Sequence, residues 1–201
     1  MLTRIKATLW RWLGAPIKFI TGITGDASQR STGAYSAGDA SEWSFLEQVM
    51  REHHFTPQAR EWLRANVRLR VDDLTSTRGG GYWIPDRREV HLFTAQHEAA
   101  VHELAHAWWH YRREPLKDRM IEATVRLSEE PDPKYADAAR LAHGYVHGIP
   151  EQNWEGLLVT RNDWEMFAGL ASGTMGDMSK LPPYVRSMYE GLFEMPPQNE
   201  G

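Results

Sequence analysis

The stretch Val101-His102-Glu103-Leu104-Ala105-His106-Ala107-Trp108 constrains the chain more than any other. His102 and His106 are four residues apart, so on a helix their rings lie one turn apart on the same face. Two imidazoles at that spacing can bind one zinc ion. Glu103 is then placed to accept a proton from a water molecule beside the metal. Because the flanking residues are uncharged, the stretch predicts a buried helix that carries a catalytic zinc site.

A catalytic zinc ion takes three protein ligands and keeps its fourth position open. The third ligand is expected to be an acidic residue within an apolar helical segment downstream. Glu165 lies between Trp164 and Met166-Phe167-Ala168, where burial of a carboxylate is costly unless a cation receives it. Asp163 is the alternative, and since it is two residues away it would project from a different face of the helix.

Two other residues extend the histidine motif along its helix. Glu98, one turn before His102, either orients a ligand histidine through its second ring nitrogen or is a solvated acid. His110 continues the face formed by His102 and His106 but lies ~6 Å further along the axis. That separation places His110 too far away to join the same ion.

His143 and His147 repeat the four-residue spacing without a glutamate between them. One of them, or Tyr145, is a candidate hydrogen-bond donor to an oxyanion that develops during catalysis. The alternative is that both histidines are ordinary, partly exposed residues near the end of a helix.

The composition excludes several classes of protein and site. With 201 residues, of which 41% are hydrophobic and 25% charged, the chain is typical of one soluble globular domain. A net charge of −4 and a pI near 6.1 argue against nucleic acid as the main partner. The lack of cysteine excludes disulfides, thiolate zinc ligands and cysteine nucleophiles.

Composition also divides the chain into four parts. Residues 1–24 contain four basic and no acidic residues, with apolar residues at helical spacing, which predicts a basic amphipathic arm. This arm contacts either a membrane surface or partner protein, or its own domain or a sister subunit. Residues 25–40 form a flexible Gly/Ser linker, residues 41–195 the catalytic domain and residues 196–201 a frayed tail. Without a convincing signal peptide or transmembrane helix, a cytoplasmic or virion-associated location is favoured over secretion.

Hydrophobic periodicity predicts mostly helices, with three strands near the middle of the chain. One strand alternates over 67–71, and two more, 79–84 and 89–93, are joined by a turn. Gly81, Tyr82 and Trp83 belong to a glycine-rich strand that either binds an extended peptide at a sheet edge or is an ordinary hairpin strand. Helices are expected over 41–53, 56–66, 95–111, 116–128, 133–147 and 162–171, followed by a last one that begins at Pro182-Pro183 and buries Val185, Met188, Tyr189 and Leu192.

The hairpin, the His-Glu-Leu-Ala-His motif, the segment 162–168 and the closing segment from Leu181 together resemble a gluzincin. Within that class the chain is most similar to the anthrax lethal factor-like group of zinc peptidases, which has small relatives in bacteriophages and bacterial toxins. The resemblance covers about residues 65–195. It implies an α+β, zincin-like fold with a small twisted sheet, an edge hairpin, an active-site helix and a mainly helical C-terminal half.

Carried over residue by residue, the resemblance makes His102, His106 and Glu165 zinc ligands and Glu103 the general base. The chain departs from the lethal factor pattern at two positions. Gly169 replaces a second acid one turn after the ligand glutamate, and Leu158 replaces a tyrosine two turns before it. Support for the ligands and the oxyanion is therefore expected from other residues.

The expected function is hydrolysis of peptide bonds in a peptide or protein substrate by a Zn²⁺-dependent metallopeptidase. The alternative is a non-catalytic structural or docking protein, such as a phage-particle component, that retains a zincin fold. The basic arm and the tryptophan content suit that alternative. The presence of Glu103 between the two histidines favours the enzyme, because a structural zinc site does not require it.

Overall fold

The computed structural model describes residues 40–71, 80–147 and 162–197, and within these ranges the fold is α+β. The predicted α+β class is confirmed, and within the described residues the C-terminal half is mainly helical, as expected. The arm 1–24 and nearly all of the linker 25–40 lie outside the described residues, as does Leu158. The seven α-helices of the described ranges are α1 (Ala40–Glu52), α2 (Pro57–Asn66), α3 (His97–His110), α4 (Arg113–Ser128), α5 (Ala136–His147), α6 (Asp163–Thr174) and α7 (Pro183–Arg186). None of the helices in these ranges combines the length and apolar character that a bilayer crossing requires.

The first two helices begin and end close to the predicted positions. Thr56 caps α2, since its side chain accepts a hydrogen bond from the Ala59 N–H at 3.0 Å, and Pro57 occupies the first turn. The same hydroxyl donates to the carbonyl of Gly191 at 2.6 Å. The cap therefore also attaches α2 to the C-terminal segment.

A mixed sheet of three short strands lies beside the helices. The strands are β1 (Arg68–Val71), β2 (Gly81–Ile84) and β3 (Glu89–Leu92), in the order β1-β3-β2. β3 pairs in parallel with β1 and antiparallel with β2. All four residues of β3 are buried, as a central strand requires, whereas β1 alternates as the sequence predicts, with Leu69 buried and Arg68 and Arg70 exposed.

The predicted hairpin is confirmed as β2 and β3. A 3₁₀ turn, Pro85–Arg87, joins them, and Arg88 reverses the chain with φ of 52°. In the described part of the chain β2 lies at an edge of the sheet, next to α3.

Helix α3 is the centre of the domain. Every residue from Ala99 to Trp109 is buried, so that the helix is enclosed on all sides rather than on one face. Its most extensive neighbour is α6, with β2, β3, α1 and α2 around the rest. The rings of Trp109, Phe167 and Tyr189 stack at successive centroid separations of 4.4 Å, which joins α3, α6 and the C-terminal segment into one core.

The last helix is much shorter than the sequence predicts. Helix α7 ends at Arg186 and is followed by one 3₁₀ turn, Ser187–Tyr189. The chain then reverses at Gly191, where φ is +82°, and brings Phe193 back to pair with Phe55. The predicted buried residues Val185, Met188, Tyr189 and Leu192 are all buried, because the turn presents them to the same core.

Candidate metal centre

Helix α3 presents His102 and His106 as adjacent buried rings. Their Nε2 atoms are 3.0 Å apart and their ring centroids 4.6 Å apart. Each ring is less than one-tenth exposed. The four-residue spacing therefore produces the predicted pair of imidazoles, with the same nitrogen of both rings directed to one region.

Glu165 meets this pair from the first turn of α6. Its Oε2 lies 3.4 Å from His102 Nε2 and its Oε1 lies 3.4 Å from His106 Nε2. Burial by itself would raise the pKa of Glu165, but the hydrogen bonds and charges of the two histidines outweigh it and lower the pKa. The carboxylate is therefore ionised in a half-buried position, and the ionised form is the one that binds a metal ion.

Residues 162 and 163 fix the position of Glu165. The Asn162 side chain caps α6 by accepting a hydrogen bond from the Trp164 N–H at 3.0 Å. Asp163 accepts hydrogen bonds from Trp109 Nε1 at 2.8 Å and from Arg113 at 2.8 and 3.0 Å. Because both of its oxygens are engaged there, Asp163 is not the third member of the cluster, and it attaches the start of α6 to α3 and α4.

The cluster fits a divalent metal ion. One donor atom from each of His102, His106 and Glu165 lies within 4.8 Å of the others, and two of the three residues are buried. Two imidazoles and one carboxylate are also a known ligand set of catalytic zinc sites. The predicted residues thus meet in space as a group that could hold a metal ion.

Glu103 is buried beside this cluster and faces β2. The Trp83 N–H donates a hydrogen bond to its carboxyl group. Burial raises the pKa of Glu103 to about 7, and the nearby charge of Glu165 adds to the rise, whereas His102 and the Trp83 N–H oppose it. An acid so placed can both hold and release a proton near neutral pH.

Strand β2 approaches Glu103 closely because position 81 is glycine. A Cβ atom at Gly81 would lie 3.1 Å from Glu103 Cγ and 2.6 Å from the carbonyl oxygen of His91. The Phe93 N–H donates a hydrogen bond to the carbonyl of Gly80, so Gly80 is a hydrogen-bonded position of the β2–β3 pair. Because such positions alternate along an antiparallel strand, the backbone N–H and C=O groups of Gly81 and Trp83 point away from β3. Of the predicted residues 81–83, Gly81 and Trp83 therefore lie next to Glu103, with Trp83 buried and Tyr82 exposed.

Tyr145 from α5 occupies the space that a side chain at position 169 would fill. A Cβ atom at Gly169 would lie 1.8 Å from the Tyr145 hydroxyl oxygen. Burial raises the pKa of Tyr145, and the charges of Glu165 and Glu98 raise it further. The hydroxyl is thus protonated, and it is close enough to the cluster to interact with the charge of Glu165. Gly169, one of the two departures from the lethal factor pattern, leaves the space in which the Tyr145 hydroxyl lies.

The remaining histidines lie in different surroundings. His143 is exposed and its ring contacts that of His147 at 4.4 Å. His110 packs among aromatic rings, 5.2 Å from Trp164 and 6.0 Å from Trp83. His110 is therefore a neighbour of the cluster and, as expected from its distance along α3, does not belong to it.

Sequence reasoning missed the partner of His102. Its Nδ1 lies 3.4 Å from the hydroxyl of Ser172, on α6. Glu98, the predicted candidate, interacts with His102 through its charge. Ser172 lies two turns after Glu165 on α6, so a search for hydroxyl or acidic side chains on the face of Glu165 would have found it.

The comparisons with known proteins give no relative for this chain: no protein-family model, curated protein or solved structure matches it.

Proposed function

We propose that the chain is a zinc-dependent metallopeptidase. The observation that carries the proposal is the meeting of His102, His106 and Glu165 around one region, with the buried carboxyl of Glu103 beside it. The ligands come from two helices, α3 and α6, and Glu103 lies next to an edge strand. This arrangement agrees with the gluzincin resemblance and with a zincin-like fold.

In the proposed mechanism, zinc would bind to His102, His106 and Glu165 and supply Lewis acidity toward the scissile carbonyl and the attacking water. Glu103 takes a proton from that water as its oxygen bonds to the carbonyl carbon. The carboxyl of Glu103 then gives the proton to the leaving nitrogen as the C–N bond breaks. The Trp83 N–H orients the Glu103 carboxyl for both transfers.

The substrate proposed for this site is an extended peptide on the side of β2 that faces away from β3. The main-chain groups of Gly81 and the carbonyl of Trp83 point to that side and suit a peptide added as a further strand. The hydroxyl of Tyr145 is the proposed donor to the oxyanion, since it is protonated and lies near Glu165. Tyr145 would thereby supply a function for which the lethal factor pattern uses a different position.

The ligand set is tested by zinc content in wild type, Glu165→Ala and the control Glu122→Ala, whose side chain is exposed on α4. Wild type and the control are expected to hold about one tightly bound zinc ion per chain at the site formed by His102, His106 and Glu165. Glu165→Ala is expected to lose it or bind it much more weakly, because one of the three proposed ligands, a half-buried carboxylate, is removed. Equal zinc content in Glu165→Ala and wild type would contradict the ligand set.

The catalytic role is tested by Glu103→Gln in a peptide-library cleavage assay. The amide keeps the shape of the side chain but cannot accept the proton, so hydrolysis should fall by about a hundredfold or more while zinc content stays unchanged. Substantial residual hydrolysis would remove Glu103 from the role of base. Zinc-loaded wild type that cleaves no peptide would instead favour the non-catalytic docking protein.

A further inference from the structure

A second group of side chains that could hold a metal ion lies at the N-terminal end of helix α3. His97 is the first residue of α3, Glu52 is the last residue of α1, and His53 follows it. His53 Nε2 is 2.9 Å from His97 Nδ1, and Glu52 Oε2 is 3.3 Å from the same nitrogen. One donor atom from each of the three residues lies within 4.8 Å of the others.

The backbone holds His53 in place for this contact. A Cβ atom at Gly176, where φ is +73°, would lie 2.0 Å from the His53 carbonyl oxygen, so the turn after α6 fits closely against it. The next residue, His54, reverses the chain with φ of 60°. The His53 ring also donates to the backbone carbonyl of Met175. Metal-binding histidines are commonly oriented by a hydrogen bond from their second nitrogen to such a carbonyl.

The chemistry of the three side chains defines the kind of ion. Two imidazoles and one carboxylate favour zinc and similar transition metals over calcium and magnesium, which prefer oxygen ligands. The side chains of His97 and Glu52 are 32% and 47% exposed, which gives an ion access from solvent.

This group is separate from the His102, His106 and Glu165 cluster. His97 and His102 are five residues apart on α3, which places them ~7.5 Å apart along the axis and ~140° apart around it. One ion therefore cannot bridge the two groups without unwinding the helix.

We propose that Glu52, His53 and His97 form a second site for a divalent transition metal, which joins the end of α1 to the first turn of α3. Such an ion would replace the contacts among the three side chains with bonds to a common centre. It would add metal–ligand bonds to the packing that already joins α1 to α3. The proposal does not depend on peptidase activity, because its evidence lies outside the candidate catalytic centre.

The test is a titration of the metal-free protein with Zn²⁺ and with Co²⁺. The measurements are the number of metal equivalents bound per chain and the absorption spectrum of the cobalt-loaded protein. Wild type should bind about two equivalents, and His53→Ala and Glu52→Gln should each bind about one. Glu165→Ala should also bind about one equivalent, whereas the double variant Glu165→Ala, His53→Ala should bind no equivalent tightly. His147→Ala is the control, because it removes a surface histidine near His143 and should leave both equivalents.

Thermal denaturation of the same variants distinguishes loss of binding from loss of fold. Circular dichroism first establishes that Glu165→Ala and the double variant Glu165→Ala, His53→Ala are both folded. Zn²⁺ should then raise the Tm of the single variant but not that of the double variant. The proposal is overturned if wild type binds a single equivalent that disappears with Glu165→Ala. It is equally overturned if a second equivalent persists unchanged in both His53→Ala and Glu52→Gln.

Discussion

At the scale of single residues, the absence of a side chain at position 169 decides where Tyr145 lies. The tyrosine hydroxyl occupies the volume that a Cβ atom would need, beside the helix that carries Glu165. The sequence identifies both residues as worth attention, Tyr145 as a hydrogen-bond donor and Gly169 as a departure from a known pattern. It does not connect them, because they lie on different helices and periodicity describes only one helix at a time.

Gly169→Ala should destabilise the protein by about 1–3 kcal/mol, because the new methyl group overlaps Tyr145 in a packed core. The measurement is the free energy of unfolding in urea. In a Tyr145→Ala background the same substitution should cost much less, since the obstructing ring is gone.

The control for that prediction is Gly144→Ala on the neighbouring helix α5. A Cβ atom there meets nothing within 4 Å, so the substitution should be neutral or stabilise by about 0.5–1 kcal/mol through helix propensity. An equal loss of stability from Gly169→Ala in the wild-type and Tyr145→Ala backgrounds would show that the two residues are not coupled.

At the scale of elements, the pairing of α3 with α6 depends on a charged contact at the start of α6. Asp163 is buried and accepts hydrogen bonds from Trp109 Nε1 and from two nitrogens of Arg113. Glu165 is two residues further along, so this contact also sets how the proposed third ligand meets the histidines. From the sequence alone Asp163 and Glu165 compete for one role, whereas in the structure they have different partners because they project in different directions.

Arg113→Ala should destabilise the protein by about 1.5–3 kcal/mol, because it leaves the buried carboxylate of Asp163 without its cation. Zinc affinity should fall as well, since the first turn of α6 is no longer fixed. Urea denaturation and a competitive zinc titration measure the two effects.

Lys117→Ala serves as the control, because Lys117 pairs with Glu114 at the surface and should change stability by less than about 0.5 kcal/mol. Unchanged stability and zinc affinity in Arg113→Ala would show that α6 is positioned without this ion pair.

The elements themselves were predicted with uneven success for identifiable reasons. Thr56-Pro57 and the alternation around Leu69 are local signals, and the helix and strand that they predict are confirmed. The helix expected from Pro182 onward is wrong beyond Arg186, although its apolar spacing is helical. There the reversal at Gly191 and the pairing of Phe193 with Phe55 override the local pattern, and such long-range contacts are not visible in a single sequence.

At the scale of the whole molecule, the candidate metal centre lies where the largest packing surfaces meet. The proposed ligands belong to α3 and α6, which form the most extensive helix pair in the described part of the chain. A bound ion would therefore add its binding free energy to the contact on which the core depends. Metal removal should then affect global stability as well as activity.

Chelation with EDTA should lower the Tm of the zinc-loaded protein by roughly 10 °C, if zinc is present at about a thousand times its dissociation constant. Differential scanning calorimetry gives the shift, and re-addition of zinc should reverse it. Glu165→Ala should lose the larger part of the shift. An identical Tm for wild type with and without EDTA would contradict a metal ion at the α3–α6 contact.

The distribution of the proposed ligands along the chain also suggests an order in which they assemble during folding. His102 and His106 belong to one helical turn, so a short nascent helix can chelate an ion before any tertiary structure exists. Glu165 follows His106 by about 60 residues, and its arrival requires the closure of that loop, with the entropic cost that a loop of this length carries. Metal present during refolding is therefore expected to stabilise the α3 turn early. Binding of the Glu165 carboxylate to the metal is expected later, when α6 docks onto α3.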